Sequence, residues 1–279
     1  MKGERNILKY LPKDDVIFKN LFSSKESKEM LKEFLESIIG IKIHSLEVQK
    51  EVETSMMNVK EKYGRLDLRI DINDDTIVVI EMQNSNKGRM DKRAVFYAGK
   101  IIASSLEVGE SYNDMKDIIV INILNYKMNE IPEYKVETIT VDSKYRKYTV
   151  IEGVKYYFIE LPKFREMVNK PQNKLEEWLS FIDYEKEEMV EMAVKNNELV
   201  KKAKLTYEYL TGDEATKRLE FLKEKALRDE AAVRHQAREE GRKFEKIEVA
   251  KEMLKNKIAK SVIIQCTGLS EIEIEEIAK

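Results

Sequence analysis

Cysteine and histidine are scarce in this chain. One cysteine, Cys266, and two histidines, His44 and His235, occur among 279 residues. A single cysteine excludes an internal disulfide and a multi-cysteine zinc site, and it is the pattern expected of a protein in a reducing compartment. The two histidines lie far apart in sequence, so neither a His-based zinc site nor a Ser/His/Asp triad has local support.

Long apolar runs, glycine-rich loops and an excess of one charge are also missing. No segment approaches the roughly 20 apolar residues that span a bilayer, and MKGERNILKYLPKDD at the N-terminus has no apolar stretch of signal-peptide length. Neither GxxxxGK[ST] nor GxGxxG occurs, which disfavours nucleotide binding through such loops. Lys and Arg number 50 against 52 Asp and Glu, so a nucleic-acid partner would need a local basic patch. We expect a cytoplasmic protein without a membrane partner.

Proline and charge divide the chain into parts. All four prolines lie in the first 171 residues, whereas the remainder is rich in Glu, Lys, Ala, Leu and Met. The first part mixes helix and strand patterns, and the second reads as helix throughout. We therefore predict a domain over residues 1–185, a charged helical connector over 186–244 and a small helical C-terminal element over 245–279.

The periodicity of apolar residues predicts an α/β order of elements. Two helices come first, in DDVIFKNLF and in SSKESKEMLKEFLESIIG, with Gly40 as the stop of the second. SLEVQKEVETSMMNV, RLDLRIDI and TIVVIEMQ predict three strands, KRAVFYAGKIIASSLEVG a helix and DIIVINIL a buried strand. A strand pair, YKVETITVDS and YTVIEGVKYYFIEL, and a helix with Trp178 complete the domain.

The second and third strands carry the candidate site. If residues 73–75 form a three-residue loop, Ile72 pairs with Thr76 and the register brings Asp67 opposite Glu81, with Cβ atoms roughly 5 Å apart. Gln83 would then project on the same face as Glu81. A loop of two or four residues would turn the two carboxylates to opposite faces.

Two adjacent carboxylates indicate a cation between them. Oxygen ligands on a rigid strand pair suit Mg²⁺ or Mn²⁺ better than Zn²⁺. Acidic residues on strands are often only solvated, which is the competing interpretation. Glu81 favours the metal site because it directly follows the apolar run 77–80, where an unpaired charge is costly.

These elements resemble the recombination-promoting nuclease and transposase family, a branch of the PD-(D/E)XK nuclease superfamily. The resemblance rests on LDLRID and IEMQ, with DDVIFKNLF and LKEFLESIIGI upstream and KRAVFYAGKII and DIIVINIL downstream. It implies a restriction-endonuclease-like αβββαβ core, a mixed sheet flanked by helices, with an all-helical C-terminal extension. It also implies Asp67 and Glu81 as metal-binding acids, with Gln83 at the position that Lys holds in most of the superfamily.

Neighbouring residues are second-tier candidates. Asp15 could approach the metal from the first helix, and a plain N-cap explains it equally well. Arg93 and Tyr97 lie four apart on a helix face and could contact a phosphate of DNA, or simply pack together. The cations that precede the second strand could also contact phosphate, although a solvated turn explains them too: Lys60, Lys62 and Arg65.

The last stretch of the chain predicts short helices with the turn TGLS between the final two, similar to a small helix-turn-helix unit. The final helix, SEIEIEEIAK, is acidic and would repel DNA phosphates. We therefore interpret this unit as an element for homo-oligomer formation or for partner docking, with DNA reading as the alternative.

The sequence as a whole predicts a Mg²⁺-dependent (or Mn²⁺-dependent) endonuclease that hydrolyses double-stranded DNA in recombination or transposition. Two other hypotheses stay open. The chain could be a weak or inactive nuclease-fold protein that binds DNA as a transposition accessory factor. It could also be a pure interaction protein in which the hairpin acids have no role.

Overall fold

A computed structural model describes residues 10–49, 68–86, 88–105, 109–212, 235, 238–239 and 241–277. The chain divides into two compact units, Met1–Lys217 and Arg218–Lys279. No helix in the described part of the chain is both long enough and apolar enough to cross a membrane.

The first unit contains helices and strands that follow the predicted order from α1 to β6. Its helices are α1 (Asp15–Phe22), α2 (Lys28–Ile39), α3 (Met90–Ser104), α4 (Leu161–Met167), α5 (Lys174–Asp183), α6 (Glu187–Asn196) and α7 (Glu198–Leu210), with short 3-10 turns at Lys25–Ser27 and Tyr112–Asp114. Its strands are β1 (Leu46–Gln49), β2 (Leu68–Ile72), β3 (Thr76–Gln83), β4 (Asp117–Leu124), β5 (Lys135–Val141) and β6 (Thr149–Glu160). Helix α2 ends at Gly40, whose φ of 78° is the left-handed conformation that glycine adopts without steric cost.

The described strands form one mixed sheet in the order β1-β2-β3-β4-β6-β5. Strands β1, β2 and β3 pair antiparallel, β3, β4 and β6 pair parallel, and β5 pairs antiparallel with β6. Parallel strands need both faces covered, and accordingly β3 and β4 are buried along almost their whole length. The predicted core of helix, three strands, helix and strand is confirmed, within a mixed sheet flanked by helices.

The turn between β2 and β3 has the predicted length. Ile72 pairs with Thr76, Ile70 with Val78 and Leu68 with Ile80. Asn73 and Asp74 take positive φ values of 52° and 65°, which these two residue types tolerate better than other non-glycine residues. The three-residue loop is therefore confirmed, and it fixes which side chains of β3 share a face.

Helix α3 covers one face of the sheet. Its Ala94, Ala98 and Ile101 pack with Ile77 of β3 and Val120 of β4 in one apolar cluster. Because side chains alternate along a strand, Glu81 and Gln83 project on this same face, beyond the apolar residues. The packing of α3 therefore decides which side of the sheet carries the polar end of β3.

The second unit contains three described helices. Residues 241–255 form α8, followed by α9 (Lys260–Thr267) and α10 (Glu271–Ile277). Ala250, Ile263, Leu269 and Ile274 form its small apolar core. Ser270 and Glu273 exchange hydrogen bonds between side chains and backbone N–H groups, a capping box that starts α10 after the turn.

The first unit extends past residue 185, where composition predicts a boundary. Helices α6 and α7 pack on α5, and α7 also packs on α1 and α2. The buried Asn197 joins α6 to α7 and fixes both to the rest of the unit. Its Oδ1 accepts from the N–H of Leu199 at 2.9 Å, while its Nδ2 donates to Glu33 at 2.6 Å and to Glu177 at 3.0 Å. Composition alone does not reveal this side-chain network.

Replacing Asn197 tests this junction. Asn197→Ser keeps a capping oxygen but loses both donors, so we expect unfolding to become easier by about 1–2 kcal/mol. Asn197→Asp also keeps the cap, yet it places a carboxylate against Glu33 and Glu177, and we expect a loss of about 3 kcal/mol. Urea unfolding of the full chain measures both values. An Asp variant as stable as the Ser variant would contradict the contacts assigned to the amide nitrogen.

Candidate active site

Glu81 lies near the carboxyl end of β3, in the middle of the sheet. Only 2% of its surface is exposed, and it is the one charged residue within β3. In the parallel register it stands beside Asn122 of β4, which stands in turn beside Phe158 of β6. A carboxylate in this position is taken out of water at a high cost, so its surroundings must compensate its charge.

Asn122 supplies a second buried oxygen next to Glu81. Its Nδ2 donates to the carbonyl oxygen of Tyr157 at 3.2 Å. Its Oδ1 is buried without a hydrogen-bond partner among the residues that the structure describes. Such orphaned oxygen atoms are rare in folded proteins and indicate a ligand, an ion or a water at the site.

A contact with Arg93 decides which way the amide of Gln83 points. Arg93 of α3 donates from Nη1 to Oε1 of Gln83 at 3.0 Å and from Nη2 to the hydroxyl of Tyr97 at 3.2 Å. A guanidinium has donors only, so the atom that faces it must be the amide oxygen. The Nε2 group of Gln83 is therefore left to donate toward the site.

The charges around Arg93 are coupled. Burial lowers the pKa of Arg93, but Tyr97, Glu81 and Tyr126 outweigh it and the pKa is raised overall. Burial raises the pKa of the Tyr126 phenol, Arg93 opposes this shift and Glu160 adds to it. Arg93 therefore remains a cation that compensates the buried carboxylate of Glu81.

Glu160 ends β6 as Glu81 nearly ends β3, and sequence analysis missed it. It is buried, and its Oε2 accepts from the N–H of Met128 at 3.0 Å and lies 2.9 Å from Nζ of Lys163. A sequence pattern could have identified Glu160, because it directly follows the apolar run YYFI, just as Glu81 directly follows the apolar run IVVI. These bonds fix the loop after β4 at the same edge of the sheet.

The predicted helical candidates are Asp15 on α1 and Arg93 and Tyr97 on α3. The N-cap of α1 is Asp14, so the alternative of Asp15 as a plain cap is wrong: Asp15 is the first helical residue, and it is exposed. Nδ2 of Asn84 donates to the carbonyl of Lys13 at 2.7 Å, which joins the start of α1 to the end of β3. Arg93 and Tyr97 share a face, as predicted.

Four predicted site residues lie outside the described residues: Asp67, Lys60, Lys62 and Arg65. The confirmed pairing of Leu68 with Ile80 is the last one before Asp67. If the ladder continues by one residue, Asp67 stands opposite Glu81 on the face that α3 covers. That placement stays a prediction.

The residues at this edge have the chemistry of a site for a hard divalent cation. Within the described ranges no three His, Cys, Asp or Glu side chains converge as a metal cluster. The buried oxygens of Glu81 and Asn122, with the orphaned Oδ1, are nevertheless the donor type that Mg²⁺ and Mn²⁺ prefer. The donors present therefore fit such an ion, with a further carboxylate needed to complete its coordination.

Comparison with known proteins identifies both parts of the chain. Residues 12–237 match the family model of the PD-(D/E)XK nuclease family transposase. Residues 243–279 match the C-terminal HTH domain of the Rpn/YhgA-like nuclease family, which agrees with the predicted helix-turn-helix similarity. No curated protein and no solved structure matches the chain. Because the first match covers well over half of its residues, the chain belongs to the PD-(D/E)XK nuclease family transposases.

Proposed function

We propose that this protein is a divalent-metal-dependent endonuclease that hydrolyses double-stranded DNA during recombination or transposition. The observation that carries the proposal is the buried carboxylate of Glu81, which shares one face of β3 with an amide, Gln83, whose orientation is fixed by Arg93. A buried acid next to a fixed donor and a permanent cation is a costly arrangement, and such arrangements concentrate at sites of chemistry.

Asp67 and Glu81 would hold the metal ion, and Asn122 is a further oxygen donor beside them. When bound, Mg²⁺ or Mn²⁺ would acidify a water and neutralise charge that develops on the scissile phosphate. The protein contributes the rigid strand pair, whose confirmed register brings the two acids together if it continues to residue 67.

The role that we assign to Gln83 is to orient a water or a phosphate oxygen by hydrogen bonding, because its amide does not ionise. Its Oε1 is occupied by Arg93, so its Nε2 can donate to a water or to a phosphate oxygen but the side chain cannot take a proton. Arg93 stands where it can supply the positive charge that a lysine at position 83 would have brought. Asp15, on the exposed first turn of α1, is a weaker candidate for the same site.

A catalytically weak DNA-binding accessory factor is the second candidate function. The neutral amide at position 83 favours it, because an amide stabilises the charge of the transition state less than an ammonium group does. For the second unit we propose docking of a partner or of another copy of the chain, since α10 exposes Glu271, Glu275 and Glu276. The cytoplasmic location stays a prediction.

Removing the carboxylate of Glu81 tests the catalytic assignment. We expect Glu81→Gln to lower Mg²⁺-dependent cleavage of plasmid DNA by about a hundredfold or more, because the ion loses a charged ligand. Glu188→Gln, an exposed change on α6, is the matched control and should cleave at the wild-type rate. Undiminished cleavage by Glu81→Gln, or cleavage that EDTA does not stop, would reject the assignment. DNA binding without cleavage by the wild type would favour the accessory factor.

Metal titration tests the predicted partner of Glu81. We expect Mn²⁺ to bind the wild-type chain in isothermal calorimetry and to bind Asp67→Asn and Glu81→Gln at least about tenfold more weakly, because each loses one anionic ligand. If Asp67→Asn bound Mn²⁺ as tightly as the wild type, the carboxylate of residue 67 would not belong to the site. This measurement needs no DNA and is independent of turnover.

Arg93→Gln should move cleavage and metal affinity in opposite directions. Losing the guanidinium frees the amide of Gln83 and removes a positive charge, so we expect kcat to fall by roughly ten- to a hundredfold. The same loss removes a cation that competes for Glu81, so Mn²⁺ should bind more tightly. Lys92→Gln, exposed on the same helix, is the control. A variant in which both quantities fall together would indicate a purely structural role for Arg93.

A further inference from the structure

The hairpin of β5 and β6 extends beyond the rest of the sheet. Strand β4 begins to pair with β6 only at Val154, and before that point the pairs of β6 among the described strands, at Thr149 and Ile151, are with β5. Gly153 marks the point of departure with a φ of 92°, and the ladder shifts register between Thr138 and Val141. We call residues 140–153 the hairpin arm.

The arm exposes apolar side chains that the sheet does not cover. Every residue from 143 to 152 is exposed, and Val150 and Ile151 each expose 62% of their surface. Tyr145 and Tyr148 at the tip are also more than half exposed. A ribbon that is open on both faces, with large side chains in water, is typical of a surface that meets a partner.

The tip of the arm is basic. Residues 142–148, DSKYRKY, contain three cations and one acid. The acid, Asp142, stabilises the turn itself: its Oδ1 accepts hydrogen bonds from the backbone N–H groups of Lys144 and Tyr145. Among the described residues none of the three cations forms an ion pair, so their charge is available to an anionic partner.

The cations alternate with aromatic rings. Nζ of Lys144 lies 5.0 Å from the centre of the Tyr145 ring, and Nζ of Lys147 lies 4.9 Å from that of Tyr148. Cationic and aromatic groups in alternation are what nucleic acids bind, the cations at phosphates and the rings against sugars and bases. A second copy of this chain, with a formal net charge of −2, would match the basic tip less well than a polyanion does.

We propose that the hairpin arm is a second DNA contact, in which the two-stranded ribbon enters the major groove and its basic tip binds phosphates. The major groove of B-DNA is wide enough for such a ribbon. The proposal rests on the proposed function in that DNA is the ligand, but it requires neither a metal ion nor cleavage.

The arm acts at a distance from the bond that is cut. Strand β6 runs 12 residues from Thr149, in the arm, to Glu160, at the edge where Glu81 lies. At about 3.3 Å per residue the two ends are separated by at most roughly 36 Å, or about ten base pairs of DNA. Contacts made by the arm therefore raise affinity for long duplexes without touching the reacting phosphate.

The salt dependence of DNA binding tests the arm. Fluorescence anisotropy of the full chain with a labelled duplex of 30 base pairs in EDTA measures affinity without cleavage. For Lys144→Gln/Arg146→Gln/Lys147→Gln we expect the slope of log K against log salt to become shallower by about 2–3, since each lost phosphate contact accounts for about 0.9. The control, Lys195→Gln/Lys201→Gln/Lys202→Gln, removes the same charge from exposed helical positions and should leave the slope unchanged.

The double variant Tyr145→Ala/Tyr148→Ala is a second test of the arm in the same binding measurement. It keeps every charge, so we expect weaker binding, by roughly tenfold, at an unchanged salt slope. Equal slopes for the arm and control triple variants would overturn the proposal. So would a change in sedimentation with unchanged DNA affinity, which would make the arm a contact between copies of the chain. Failure of Glu81→Gln to reduce cleavage would reject the proposed active site and leave the binding result intact.

Discussion

The pairing of β3 with β2 on one side and β4 on the other is the constraint on which the rest depends. It places Glu81 beside Asn122 and turns Gln83 to the same face. A slip of one residue would turn every side chain of β3 to the opposite face and would bury Val78 and Ile80 where the polar group now lies. The apolar residues of β3 therefore fix the register, and the register positions the polar side chains of Glu81 and Gln83.

A buried carboxylate in the centre of a sheet needs a charge to compensate it, and α3 supplies one. Arg93 contacts Gln83 and Tyr97 while it compensates Glu81. The same guanidinium therefore serves stability and orientation together. This explains why a neutral glutamine is compatible with the site, since the positive charge comes from the neighbouring helix rather than from β3.

Much of the fold follows from local patterns. The β2–β3 turn could be placed from the sequence because β2 alternates, β3 is a continuous apolar run and Asn73 and Asp74 between them are residues that favour turns. Gly40 ends α2 for an equally local reason. Asn122 could not be assigned, because its meaning depends on the parallel pairing of β3 with β4, two strands separated by a helix. The packing of α6 and α7 was missed for the same reason, since the amide of Asn197 joins residues that are distant in sequence.

Strand β6 connects two different kinds of surface. At its carboxyl end, Glu160 is buried and fixes the loop after β4 beside the polar end of β3. At its amino end, before Gly153, β5 is the one described strand that pairs with β6, and residues 149–152 are exposed. If every residue of β6 served packing in the sheet, β6 would extend no further than the start of β4. Because β6 and β5 continue past that point, with cations at the tip and without a core to cover, the extension is better explained by binding than by stability.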